Sequence, residues 1–242
     1  MKIHERIYVV GGGINSFGLT EVLDSTVYLI DGGSSLALID AGAGLAPELV
    51  LERLIELGFS PQYIDVILLT HAHADHCGGA SWLSNACGAR ILASIETARF
   101  LNTKDLDAIS LPPLIANGTY PKNYDFQFCN PGKLNDGDIV MVGDLQLTLL
   151  ELPGHSDGHA GYLLNYRGKK LLFSGDLAFG KAKILMQNTW DCRFQPYRES
   201  LQRINALHID GLFPGHQAFC LNGAHHIFTR LCMDTTVFPQ NL

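Results

Sequence analysis

Short apolar runs separated by glycine- and proline-rich punctuation organise this chain into predicted strands and helices. Arg6 to Val10, Thr26 to Ile30 and Leu36 to Ile39 are predicted strands, and the last two are joined at Asp31-Gly32-Gly33, a hairpin signal. Pro47 opens a helix in which Val50, Leu54 and Leu57 recur at helical spacing, and Gly58 closes it. Ile64 to Leu69 is a continuous apolar run broken only by Asp65 and reads as a short buried strand. Weaker helices are predicted over Ala80 to Cys87 and Ile95 to Leu101, flanking a strand from Arg90 to Ala93. In the second half, strands are predicted over Asp138 to Val142, Gln146 to Leu152, Ala160 to Tyr166 and Lys170 to Phe173. A helix follows from about Tyr197 to Leu207, and a further strand ends at Gly211-Leu212-Phe213. No internal repeat is visible.

Two segments depart from this pattern. Gly11-Gly12-Gly13-Ile14-Asn15-Ser16-Phe17-Gly18 is not a dinucleotide loop, because Ser16 takes the last glycine position and a strand, not a helix, comes next. It reads as a hairpin loop or a flap, with Phe17 and Leu19 as candidate substrate contacts. Asn102 to Leu134, rich in proline, asparagine and aromatic residues, is long for a connection and reads as a candidate lid insertion. Phe100, Tyr120 and Tyr124 are candidates for lining a pocket, with plain packing as the alternative for each.

With 242 residues, 47% hydrophobic content and 25 glycines, the chain can bury a sizeable core, and residues 1–242 read as one domain. The net charge of −7 and the absence of a Lys/Arg cluster argue against a nucleic-acid partner, which needs a basic stripe. The six cysteines lack Cys-x-x-Cys spacing, no leader is recognised, and no apolar run approaches a membrane span. A reduced, cytoplasmic location without membrane attachment is the expectation. Composition leaves oligomeric state open.

The chemistry concentrates in Thr70-His71-Ala72-His73-Ala74-Asp75-His76, directly after the Ile64 to Leu69 strand. Imidazoles and a carboxylate crowded on one strand-end loop are a donor set for zinc or another first-row divalent ion, and without a cation they are hard to satisfy. Further donors occur at strand ends: Pro153-Gly154-His155, Ser174-Gly175-Asp176 and Pro214-Gly215-His216.

His-x-His-x-Asp-His followed in order by Pro-Gly-His, Ser-Gly-Asp and Pro-Gly-His resembles the metallo-β-lactamase-fold hydrolase superfamily, over residues 25 to 216. The resemblance implies an α/β architecture, an αββα sandwich of two mixed sheets flanked by helices. It implies two Zn²⁺ ions, with iron or manganese as alternatives. His71, His73 and His155 would hold one, Asp75, His76 and His216 the other, and Asp176 would bridge them. Asp40, in Ile39-Asp40-Ala41-Gly42, corresponds to the superfamily's supporting aspartate, and His159 is a second candidate for orienting ligands. Cys77, beside His76, reads as a buried structural thiol, and His4, His208, His225 and His226 as incidental.

The implied reaction is attack of a hydroxide held between the ions on an ester, thioester or lactone carbonyl of a small-molecule substrate, with Asp75 orienting the nucleophile and passing a proton to the leaving group. The ligand set is similar to that of glyoxalase II, whose helical glutathione-binding domain does not fit the short tail after His216. It is also similar to that of acyl-homoserine-lactone lactonases, which carry a tyrosine where this chain has Phe179. True β-lactamases of the superfamily lack the bridging aspartate, so β-lactam cleavage ranks lower, as does phosphodiester cleavage. Two rivals remain: a mononuclear iron persulfide dioxygenase-like enzyme and a non-catalytic ligand-binding sensor. Lys181, Lys183, Arg193 and Arg198 are candidates for gripping a substrate carboxylate, and Trp190 and Phe194 for an apolar wall.

Overall fold

In the computed structural model residues 1–234 are described. The strands are β1 (Lys2–His4), β2 (Ile7–Gly11), β3 (Val27–Asp31), β4 (Leu36–Ile39), β5 (Ile64–Leu68), β6 (Arg90–Ser94), β7 (Gly132–Leu134), β8 (Ile139–Val142), β9 (Leu145–Glu151), β10 (Ala160–Tyr166), β11 (Lys169–Gly175) and β12 (Gly211–Pro214). The helices are α1 (Glu48–Glu56), α2 (Ala74–Cys77), α3 (Ala80–Cys87), α4 (Ile95–Thr103), α5 (Leu111–Ala116), α6 (Phe194–Leu207) and α7 (Ala224–Met233).

The first seven strands form one sheet in sequence order, antiparallel from β1 to β4 and parallel from β4 to β7. The second sheet has the order β12-β11-β10-β9-β8 and is antiparallel except for the parallel β11–β12 pair. Alternate residues of each strand enter different cores. Tyr28, Ile39 and Leu68 of the first sheet meet Leu149, Tyr162, Phe173 and Phe213 of the second in the layer between them. The opposite faces are covered by helices: Leu29, Leu38 and Ile67 pack with Val50, Leu54 and Leu83, whereas Leu163, Leu172 and Leu212 pack with Tyr197, Leu201 and Phe228. This is an αββα sandwich, and burial on both faces explains why most strands read as continuous apolar runs.

The Asp31–Gly33 turn joins β3 to β4 with Asp31 opposite Leu36, and Gly33 takes the positive φ (81°) that such a turn needs. α1 begins after Pro47 and is followed by Gly58 at φ 86°. The differences from expectation lie at edges and in the 102–134 segment. β1 and β7 are three-residue strands at the two edges of the first sheet, too short to carry a period. α6 starts at Phe194 rather than Tyr197, and α2 and α7 were not anticipated. The 102–134 segment contains the six-residue α5 and ends in β7. Phe17 and Leu19 pack against the intersheet core. No helix among the described residues is long and apolar enough to cross a membrane.

Candidate metal centre

The donors converge at one end of the sandwich, where loops from both sheets meet. His71 and His73 leave the end of β5, and the chain then winds into the single turn α2, which carries Asp75 and His76. His155 lies between β9 and β10, Asp176 follows β11, and His216 follows β12. Backbone bonds tie the loops together: Ala160 N–H donates to Thr70 O (2.7 Å), Gly215 N–H to Gly175 O (2.8 Å), and Thr26 N–H to Gly215 O (2.7 Å).

Hydrogen bonds on the outer nitrogens set the imidazole tautomers. Thr70 Oγ1 donates to Asp40 Oδ2 (2.8 Å), so it accepts from His71 Nδ1 (3.0 Å) and leaves His71 Nε2 a bare lone pair. His73 Nε2 donates to Asp191 Oδ2 (3.1 Å), which leaves Nδ1 bare. His155 Nδ1 faces Leu185 O at 3.4 Å, with Nε2 turned inward. The three free nitrogens therefore meet lone pair to lone pair, His73 Nδ1 lying 3.1 Å from His71 Nε2 and 3.2 Å from His155 Nε2. Nitrogen donors at ordinary Zn–N distances define tetrahedral edges of about 3.3 Å. The spacing fits a cation shared by all three.

A second set lies beside it. His76 Nδ1 donates to Asp40 Oδ2 (2.7 Å), leaving Nε2 aimed at Asp176 Oδ1 (3.4 Å) and Asp75 Oδ2 (3.5 Å). His216 Nε2 is 3.1 Å from Asp75 Oδ2 and 3.5 Å from Asp176 Oδ2, and the latter oxygen is also 3.6 Å from His155 Nε2. Asp176 thus borders both groups. His76 Nε2 and Asp176 Oδ1 are buried without a hydrogen-bond partner, which a cation would supply. Gly215 keeps the space open, since a Cβ there would stand 2.4 Å from Asp176 Oδ1 and 2.5 Å from His76 Cε1.

The electrostatics agree with this donor set. Burial pushes His71 well below its ordinary value and His155 down to about 4, so both rings are neutral and available as ligands. Burial would raise Asp75 and Asp176, but His76 and His216 beside them outweigh it and hold both carboxyls low. Burial would lower His76 and His216, yet the facing carboxylates hold both above their ordinary range, and in the metal-free protein a proton takes the cation's place.

The supporting residues divide by role. Asp40, buried and at φ 62°, accepts from Thr70 N–H, Thr70 Oγ1–H and His76 Nδ1–H. His159 lays its ring against those of His71 and His155 (centroids 5.1 and 5.9 Å apart), but its hydrogen bonds go to the main chain. Its Nε2 accepts the Asp176 backbone N–H (3.0 Å) and its Nδ1 donates to Leu152 O, so it fixes the main chain under Asp176. Cys77 is buried, its thiol donating to Ala72 O. His208, His225 and His226 neighbour one another away from the cluster. Two contacts were not anticipated. Tyr120 accepts the Asp75 N–H (3.1 Å) and donates to Asp75 Oδ1 (3.0 Å). Asp191, 1% exposed, also accepts from Ser110 Oγ (2.7 Å); burial would raise its carboxyl, but the His73 and Ser110 hydrogen bonds outweigh that and bring it to about 2. Neither residue stands in a recognisable motif, because each contact is made across a long sequence separation.

A cavity of about 430 Å³ opens over the donors. Asp75, Asp176 and His216 line it on the metal side, and Leu114, Tyr120, Phe179, Lys183 and Leu185 on the other sides. Asn15 reaches it from the early glycine-rich loop, whereas Phe17 and Leu19 pack elsewhere. Of the candidate cations, Lys183 lines the cavity and Arg193 is paired with Asp157. Trp190 donates its indole N–H to Asp107 O, Phe100 is buried against it, and Tyr124 stacks on Tyr120.

The profile of the metallo-beta-lactamase superfamily matches residues 20–216, the span that supplies every one of these donors. The chain belongs to that superfamily. It is 32% identical over 149 residues to a hydroxyacylglutathione hydrolase of Haemophilus influenzae, an alignment covering 62% of this chain and 64% of that protein, just under two thirds of its length. It is 29% identical over 248 residues to the acyl-coenzyme A thioesterase MBLAC2 of Homo sapiens, covering 93% of this chain and 80% of the other. Among solved structures, a metallo-beta-lactamase family protein of Thermus thermophilus superposes with a TM-score of 0.71 at 27% identity, over 93% of this chain and 78% of that one. A subclass B3 metallo-beta-lactamase of Bradyrhizobium japonicum superposes with a TM-score of 0.69 at 24% identity, over 89% and 76%, and shows likeness of fold alone.

Proposed function

We propose that this superfamily member is a dinuclear metal-dependent hydrolase of a small-molecule thioester, with ester and lactone carbonyls as the wider class. The observation that carries the reading is the pair of donor groups, His71/His73/His155 and Asp75/His76/His216, bordered jointly by Asp176 beneath one cavity. Bound there, two divalent ions, zinc by preference, would supply Lewis acidity and lower the pKa of water enough to make a nucleophile near neutral pH.

The chain's own residues supply the rest. Asp75 has Oδ1 committed to Tyr120, so Oδ2, facing His76 and His216, is left to orient the nucleophile and carry a proton toward the leaving group. Phe179, Leu114 and Leu185 offer an apolar wall to an acyl group, and Lys183 a positive charge at the same cavity. Phe179 offers no hydrogen bond to a lactone oxygen. The names of the Haemophilus and human relatives both denote acyl–sulfur cleavage, which favours a thioester over the lactone version.

The test is elemental analysis joined to a hydrolysis screen over thioesters, lactones, β-lactams and phosphodiesters, before and after chelation. About two zinc ions per chain, with chelator-sensitive thioester turnover, is the expected result. One iron with oxygen consumption and no hydrolysis would replace this reading with the dioxygenase.

A further inference from the structure

His73 differs from its two neighbours in the first donor group. His71 and His155 turn Nε2 toward the shared point, whereas His73 offers Nδ1 and directs Nε2 away to Asp191. An imidazole used through Nδ1 is easily lost as a donor, because a half-turn about its Cβ–Cγ bond replaces Nδ1 with a carbon, and a proton on Nδ1 closes the lone pair. The Asp191 hydrogen bond at 3.1 Å opposes both, holding the ring and selecting the Nε2–H tautomer.

Asp191 is itself held from a distant part of the chain. Its other oxygen accepts from Ser110 Oγ at 2.7 Å, Ser110 being fully buried at φ 55° immediately before α5 in the insertion. A second bond, from Trp190 Nε1 to Asp107 O (2.7 Å), joins the same two segments. The connection His73–Asp191–Ser110 thus runs from the donor cluster into the 102–134 segment.

We propose that Asp191 is a positioning residue of the metal centre, fixing His73 for ligation through Nδ1 and, by way of Ser110, making retention of the ion at His71, His73 and His155 depend on the docked insertion. This rests on the dinuclear reading above.

The experiment follows Zn²⁺ release from the loaded full-length protein into a chromophoric chelator for wild type, Asp191→Ala, Asp191→Asn and Ser110→Ala, with the unfolding midpoint of each metal-free form measured alongside. Loss of a carboxylate behind a ligating histidine costs about 10–100-fold in metal affinity. In Asp191→Ala one of the two release phases is expected to accelerate by that order while the other changes little. Asp191→Asn is expected to fall between, since its amide oxygen still accepts Nε2–H, and Ser110→Ala to accelerate the same phase by a smaller factor. Should Asp191→Ala fail to fold, the other two variants carry the test. Unchanged release beside a lowered metal-free midpoint would mean a structural role only and overturn the proposal, as would equal acceleration of both phases. A wild type that takes up no metal would overturn the dinuclear reading as well, whereas normal loading with unchanged release in the variants overturns this proposal alone.

Discussion

Tyr120 grips Asp75 at two points, the amide and Oδ1, and so leaves a single carboxylate oxygen facing the other donors. Tyr120→Phe keeps the ring against Tyr124 but removes both bonds, and a destabilisation of about 1 kcal/mol is expected in denaturant unfolding. Asp75→Asn, in contrast, is expected to fold normally yet lose on the order of 100-fold or more in turnover when compared at equal metal load. Near-normal activity in a fully metallated variant would remove Asp75 from its assigned role. Protonation separates the two donor groups in the metal-free protein. His155 sits down at about 4, so few protons compete there near neutrality, whereas an ion entering at Asp75, His76 and His216 must displace protons from two histidines held above their ordinary values. Uptake at that second group is therefore expected to weaken first as pH falls, and equilibrium dialysis across a pH series should show one ion leaving before the other. Loss of the His71/His73/His155 ion first would contradict the assignment.

At the scale of elements, the strand ends place the chemistry, and Gly175 shows how little tolerance they have. A Cβ at this position, φ 49°, would come within 2.7 Å of His159 Nε2 and 2.9 Å of Thr70 Oγ1. Gly175→Ala is expected to displace Asp176, with reduced metal content as the readout, and a fully loaded variant would show that the β11 end is more pliant than described. The same strand ends were legible in the sequence because apolar runs buried on both faces terminate in Thr-His, Ser-Gly-Asp or Pro-Gly-His. α7 had a readable signal in Ala224, Phe228 and Leu231 at helical spacing, but its polar face interrupts the run. β1 and β7 were too short to announce themselves. Asp191 and Tyr120 were not legible in their roles for a different reason: a carboxylate in a turn-rich stretch and a tyrosine in a proline-rich one look like solvated or packing residues until the fold brings them 118 and 45 positions back to His73 and Asp75.

For the whole molecule, the donors are divided between two layers. His71, His73, Asp75 and His76 belong to loops of the first sheet, while His155, Asp176 and His216 belong to the second. Any ion binding both sets ties the sheets together, so chelation is expected to lower the thermal midpoint, by an amount that grows with the ratio of free metal to dissociation constant. A midpoint indifferent to metal would show that the sandwich holds without that tie. The division also imposes an order in time on biosynthesis. A growing chain presents His71 through His76 early, but the His71/His73/His155 group is incomplete until His155 emerges, and the other until His216 emerges behind the last strand of the second sheet. The two groups are therefore completed at different times: the first before β10 has emerged, the second only after β12, the last strand of the second sheet.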